Sequence, residues 1–143
     1  MGYTAIVDYH VGNLASVEKA LRYLGARTEI TDDERVLAVL RRQAERKPIL
    51  GICLGMQLLM SSSTEVRPCR GLDLVPGRVE RIQTEQKLPH IGWNALRFKT
   101  PSPLFAGIDE GSYVYFVHSF CALPEQAEDI YAVTDYGPEV VAA

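Results

Sequence analysis

The sequence is poor in the residues that build disulfide frameworks, metal clusters and nucleic-acid surfaces. Its only cysteines are the three at Cys53, Cys69 and Cys121. None sits in a C-x-x-C pair or another metal-ligand spacing. An odd count behind a start that lacks a basic lead and apolar core reads as reduced thiols in a cytoplasmic protein. No metal and no cofactor are expected. No apolar run reaches the roughly 20 residues that a membrane-spanning helix needs. Basic residues are not in excess: 15 Lys and Arg against 18 Asp and Glu give a net charge of −3. That balance argues against a nucleic-acid partner. Repeats, low-complexity tracts and obvious linkers are also missing. What is abundant is apolar residue, 47% of 143, enough for one core, and a single domain over 1–143 is expected.

The first half alternates strand-length and helix-length patterns. Thr4–Tyr9 is a short apolar run. Asn13 stands where a helix cap belongs, before Leu14, Val17, Leu21 and Leu24 at helical spacing, and Gly25 stops the pattern. Arg27–Thr31 predicts a second strand. Asp32 and Asp33 can cap a helix from about Glu34 to Arg46, with Val36, Leu37, Leu40 and Ala44 inward. Pro48–Cys53 predicts a third strand, buried on both faces, and Leu54–Ser62 a helix. This order implies a flavodoxin-like parallel sheet with flanking helices, whose ligands bind at the carboxyl ends of the strands. In the second half Leu74–Val79, Ile91–Phe98, Ser112–Phe120 and Ile130–Thr134 predict antiparallel strands added beside that core, a mixed α/β architecture overall.

Gly51-Ile-Cys53-Leu-Gly55 joins the expected third strand to its helix. This is the grammar of a nucleophile elbow, in which small flanking residues let the backbone crowd a substrate. The helix N-terminus favours a thiolate on Cys53, and the N–H of Leu54 can face an oxyanion. The chemistry would be acyl transfer through a thioester. The competing reading is a cysteine packed as a small core hydrophobe.

A cysteine nucleophile usually needs a base, and the histidines are His10, His90 and His118. His10 follows the first strand. His90 precedes Gly92-Trp93 and suits a structural or partner-facing role. His118 shares a strand face with Val114 and Phe116. None has an obvious orienting carboxylate, so no triad is complete. Gln57 lies one helical turn beyond Cys53, suited to a polar substrate or to solvent. Trp93 with Asn94, and the group Tyr113, Tyr115 and Phe116, suit packing or an interface.

Taken together these segments resemble a known family. Gly51-Ile-Cys-Leu-Gly-Met-Gln57 is similar to the nucleophile motif of class I, triad-type glutamine amidotransferases. Asp8-Tyr-His-Val-Gly-Asn-Leu14, Gly71-Leu-Asp-Leu-Val-Pro-Gly-Arg78, Pro89-His-Ile-Gly-Trp-Asn94, Tyr115-Phe-Val-His-Ser119 and Thr134-Asp-Tyr-Gly137 narrow the resemblance to the glutaminase subunits of imidazole glycerol phosphate synthases, of histidine biosynthesis. The resemblance implies that Cys53 attacks the side-chain amide of glutamine, with Gly51, Leu54 and Gly55 forming the elbow and oxyanion backbone. It implies that Gln57, His118 and Ser119 hold the substrate. It implies that ammonia passes to a cyclase subunit, a (β/α)8 barrel bound as a heterodimer, which makes imidazole glycerol phosphate and AICAR phosphate. Asn13, Pro89, His90, Trp93 and Asn94 would face that partner.

The chain also departs from the pattern. The family carries a Pro-Gly-Val-Gly loop upstream of the elbow that supplies a second oxyanion donor. Here Thr31-Asp-Asp33 leads almost directly into the helix before Cys53. The family's catalytic His and Glu lie in a His-Pro-Glu motif, and the sequence given ends at Val140-Val-Ala-Ala143 before it. A domain incomplete in this way is expected to turn over little glutamine. Either residues of a longer chain are omitted, or the chain is a deletion variant. Alternatives are a non-catalytic docking module of the same fold, or another cysteine hydrolase or amidotransferase of that class.

Overall fold

The structure, a computed structural model, describes residues 4–8, 13–31, 35–65 and 67–143. His10 and the acidic pair Asp32 and Asp33 lie outside the described residues, as does the end of the first expected strand at Tyr9. The chain divides into two compact units, Met1–Ile49 and Leu50–Ala143.

The first unit contains β1 (Thr4–Val7), α1 (Leu14–Tyr23), β2 (Thr28–Thr31) and α2 (Arg35–Ala44). β1 and β2 pair in parallel, Thr4 opposite Thr28 through Val7 opposite Thr31, with α1 as the crossover. Asn13 caps α1, its Oδ1 accepting from the N–H of Ser16 at 3.1 Å. The helix ends as its glycine dictates: Gly25 has φ +82° and donates to Arg22, and Ala26 donates to Leu21. Leu24, the last residue of the helical spacing, occupies the C-cap and is exposed. The helical spacing extends one residue past the last helical turn.

The second unit holds α3 (Leu54–Leu59) and β3 (Met60–Ser63), β4 (Cys69–Arg70), β5 (Val75–Arg81), β6 (His90–Ala95), β7 (Arg97–Phe98), β8 (Tyr113–His118), β9 (Phe120–Pro124), β10 (Ala132–Asp135) and β11 (Glu139–Val141). One mixed sheet runs β4-β3-β5-β9, with β3 parallel to β5. The others are antiparallel: β6 with β8, and β11-β10-β7. The antiparallel second half is thus as the alternation predicts. Met60, Val79 and Ala122 form one core cluster, with Met56, Leu59 and Phe120 packed on it. Ile82, Cys121 and Val140 form another, lined by Leu88 and Tyr136.

Two expectations at the start of this unit are corrected. Residues Pro48–Ile52 form no strand, and Leu50 and Ile52 are exposed rather than buried on both faces. A strand exists only by its ladder, and no described strand pairs with this run. The helix after Cys53 ends at Leu59, not Ser62. Its last carbonyls are claimed by the following loop: Leu72 donates to Leu58, Leu74 to Leu59, and Asp73 to Met60. Met60 is then free to turn extended, at ψ 167°, and begins β3 beside β5.

Candidate active site

Cys53 occupies the N-cap of α3 with φ +55° and ψ −114°, a conformation that non-glycine residues rarely adopt. The sharp turn expected at the cysteine is therefore present, although no strand leads into it. Its side chain is exposed. The turn is closed by its own backbone: Gly55 donates to the carbonyl of Ile52 at 2.9 Å, and Met56 to that of Cys53 at 3.0 Å. Leu54 is the first helical residue, directly beside the thiol.

Gly51 explains its own presence. A Cβ there would lie 2.6 Å from the backbone nitrogen of Met56 and 2.7 Å from the carbonyl of Gly55. The first turn of α3 folds back over residue 51 at a distance only glycine accepts.

The other cysteines sit in different surroundings. Cys69 is exposed on β4. Cys121 is buried on β9, and that burial, followed by the charge of Glu80, pushes its thiol above the usual cysteine range.

Gln57 turns toward β9. Its Nε2 donates to the carbonyl of Phe120 over 3.5 Å, and the Nδ1 of His118 contacts the same oxygen at 2.9 Å. Ser119 forms the bend between β8 and β9, its carbonyl accepting from Ile82 at 2.9 Å. The structure therefore brings Gln57, His118 and Ser119 to one bend.

The two faces of the β6–β8 ribbon differ sharply. One presents Ile91, Trp93, Tyr113, Tyr115 and Val117, all exposed. The register places Ile91 opposite Val117 and Trp93 opposite Tyr115, whose rings meet edge-on at 5.6 Å. The other face carries His90, Asn94, Phe116 and His118. His90 is fully buried, stacked 3.8 Å from Tyr136 and 4.9 Å from Phe116. Its Nε2 meets Asn94 Oδ1 at 3.0 Å, and its Nδ1 meets His118 Nε2 at 3.1 Å. The Nδ2 of Asn94 donates to the carbonyl of Asp135 at 3.0 Å.

The expectation that His90 faces a partner is corrected on this point: a side chain with no exposed area touches nothing outside its own chain. Asn94 is half-buried and spends its amide within the chain. Pro89 and Trp93 are exposed, as is Asn13 in the first unit. Strict alternation along β6 was the signal that separates His90 and Asn94 from Ile91 and Trp93. Tyr136, which the sequence offers only as part of Thr134–Gly137, emerges as the ring that covers His90. Among the described residues no group of three acidic, histidine or cysteine side chains could hold a metal ion. No helix among them is long and apolar enough to cross a membrane.

Residues 24–143 match the class-I glutamine amidotransferase family model. The chain is 42% identical over 163 aligned positions to the imidazole glycerol phosphate synthase subunit HisH of Moorella thermoacetica, covering 94% of this chain and 78% of that protein. It is 39% identical over 167 positions to the subunit of the same name from Bacillus thuringiensis, covering 95% and 78%. Both alignments are longer than the 143-residue chain, so each relative carries positions within the matched span that this chain lacks.

Proposed function

The chain belongs to the class-I glutamine amidotransferases, among the HisH subunits of imidazole glycerol phosphate synthase, and on that premise we propose that Cys53 is the nucleophile for glutamine hydrolysis. It is the glutaminase subunit of an enzyme of histidine biosynthesis. In the proposed step the Cys53 sulfur attacks the side-chain carbonyl carbon of glutamine. The amide nitrogen takes a proton and leaves as ammonia, and water cleaves the glutamyl thioester to give glutamate and the free thiol. The Leu54 N–H, held by the Gly51–Gly55 turn, receives the oxyanion, an interaction worth about 10²–10³ in rate where it has been removed elsewhere. Gln57, His118 and Ser119 hold the amino-acid end of the substrate.

Ammonia then passes to a cyclase subunit, a (β/α)8 barrel, which forms imidazole glycerol phosphate and AICAR phosphate. The docking surface we assign to it is the exposed apolar face of β6 and β8, with Trp93 as its anchor and Pro89 beside it. Five large apolar side chains on one ribbon face are the composition of an interface core rather than of free surface. Asn13 joins that assignment from the resemblance alone. We assign the subunit to the cytoplasm on the ground of its biosynthetic role.

The observation that carries the reading is the exposed thiol of Cys53 in a left-handed N-cap conformation at the start of α3. The test is alkylation by a glutamine analogue bearing an electrophilic ketone, with the modified residue mapped by mass spectrometry. Modification of Cys53, suppressed by excess glutamine, is expected. Modification of Cys69 or Cys121 with Cys53 untouched overturns the reading.

A further inference from the structure

The ring nitrogens of His90 and His118 form a line between two oxygens that can only accept. At one end the Asp135 carbonyl faces the Asn94 amide at 3.0 Å. The atom there must be Nδ2, which leaves Oδ1 toward His90. At the other end stands the Phe120 carbonyl, 2.9 Å from His118 Nδ1. His90 Nε2 must therefore carry a hydrogen for its 3.0 Å contact, and His118 Nδ1 one for its own. The inner contact of 3.1 Å between His90 Nδ1 and His118 Nε2 needs a third. Two neutral imidazoles own only two N–H groups between them. All three contacts are satisfied at once only when the pair holds one extra proton.

We propose that His118, whose Nε2 is held by the buried His90, carries a titrating proton on Nδ1, and that its release to water frees the Phe120 carbonyl from His118. The surroundings support a charge there. The Phe116 and Tyr136 rings stack on His90, and aromatic faces attract a cation. Few other charges act on the pair. The Tyr136 hydroxyl donates to the Lys87 carbonyl at 2.7 Å, and the Asp135 carboxylate pairs with Arg97 at 2.9 Å.

Which contact fails on deprotonation follows from burial. His90 is sealed, and its Nδ1 has no alternative donor to His118 Nε2–H among the described residues. His118 is half-buried, so its Nδ1 can turn to water. Leaving a buried nitrogen unpaired is the costlier choice. The proton therefore leaves His118 Nδ1, two lone pairs then face each other across 2.9 Å, and the Phe120 contact opens. Burial of His118 pulls its midpoint below the usual histidine value, against the raising effect of the Phe120 carbonyl. The closed arrangement is complete below that midpoint and is lost as pH rises through it. Gln57, which reaches the same carbonyl, then becomes its remaining side-chain donor.

The inference stands apart from the glutaminase reading, because it needs neither substrate nor a reactive Cys53. It is tested by nitrogen NMR of the chain labelled with 15N-histidine and 15N-glutamine, titrated between about pH 4 and 8. A His118 midpoint below that of an ordinary histidine is expected, with His118 Nδ1 losing its hydrogen and both Nε2 atoms keeping theirs. The Gln57 amide should shift with the same midpoint. In His90→Gln the imidazole that accepts from His118 Nε2 is lost, and loss of the proton should no longer be confined to Nδ1. Loss of the proton from His118 Nε2 rather than Nδ1, or a Gln57 amide indifferent to the transition, would each overturn the proposal. The wild-type titration decides it even if the variant fails to fold.

Discussion

Gln57 and His118 share one acceptor: the carbonyl of Phe120, at 3.5 Å and 2.9 Å. One residue comes from the helix behind the cysteine and the other from the end of β8, so a single backbone oxygen joins the elbow helix to the ribbon. The relationship sets the first expected outcome. In Gln57→Ala the helix keeps its packing on Val79 and Ala122, because Met56 and Leu59 carry that contact, and the lost bond is long. Folding stability should change by under about 0.5 kcal/mol. Alkylation of Cys53 by the glutamine analogue should slow about tenfold, the value of one hydrogen bond to a bound polar ligand. Thermal melting and the alkylation rate together check both halves.

Gly51→Ala should do the reverse. The added Cβ meets backbone atoms of Gly55 and Met56 at 2.6–2.7 Å, and backbone cannot swing aside as a flexible side chain does. A loss of about 1–3 kcal/mol is expected, the usual cost of overpacking. It should appear as a lower urea midpoint, together with loss of Cys53 alkylation as the turn at φ +55° relaxes. The same substitution at Gly107, where a Cβ meets nothing within 4 Å but φ is +79°, should cost only the backbone strain, about 1 kcal/mol.

These two sites show how far the residues speak for themselves. The Gly-x-Cys-x-Gly spacing announces a tight turn, and the turn is there. The alternation from Tyr113 to His118 announces a strand, and its partner β6 lies at the register the pattern needs. Pro48–Ile52 misleads because an apolar run says that a segment avoids water without saying which ladder receives it. Met60–Ser63 misleads because the end of α3 is decided by carbonyl partners at Leu72–Leu74, residues that no local pattern links to it. The histidine pair needed both a register and a third strand: His90 and His118 lie opposite each other on β6 and β8, and Asp135, at the end of β10, fixes the Asn94 amide.

The exposed ribbon face gives a prediction that separates binding from folding. Trp93 is 66% exposed and Tyr115 55%, and their rings meet edge-on. Trp93→Ala should leave the melting temperature of the isolated chain within the range of an ordinary surface change. It should weaken binding to the cyclase subunit proposed above about 30-fold or more, as loss of a central aromatic anchor does. Calorimetric titration of the two subunits checks this, and an unchanged affinity removes the face from the interface.

Glu139 supplies the pH dependence. Hydrogen bonds from Lys99 and then Arg97 hold its carboxyl below the usual glutamate range, and the two cations, Arg97 on β7 and Lys99 just after it, tie this segment to β11 across β10. A depressed acid stabilises the fold above its unfolded value and loses that contribution as pH falls through the folded one. Wild type should therefore exceed Glu139→Gln in melting temperature near neutral pH, and the gap should close as the solution is taken below about pH 4. The group is solvent-exposed, so the gap should also shrink in high salt. A difference that persists at low pH would mean that the glutamate acts through packing instead.

The three thiols rank themselves by position, and the ranking tests the site without any substrate. A small neutral alkylating agent reacts with thiolate, at a rate set by access and by the thiol's acidity. Cys121 is buried with its acidity suppressed by that burial, so it should stay unmodified until the chain unfolds. Cys53 and Cys69 are both exposed and should both react. Replacing the neutral agent by the glutamine-shaped ketone should leave Cys69 behind, because β4 offers no helix N-terminus and no neighbouring Gln57. Time-resolved mass spectrometry with both reagents reads the order directly. Early modification of Cys121 in the native chain would show that the β5–β9 core opens. Equal rates for Cys53 and Cys69 with the substrate-like reagent would show that the turn at Cys53 confers no selectivity.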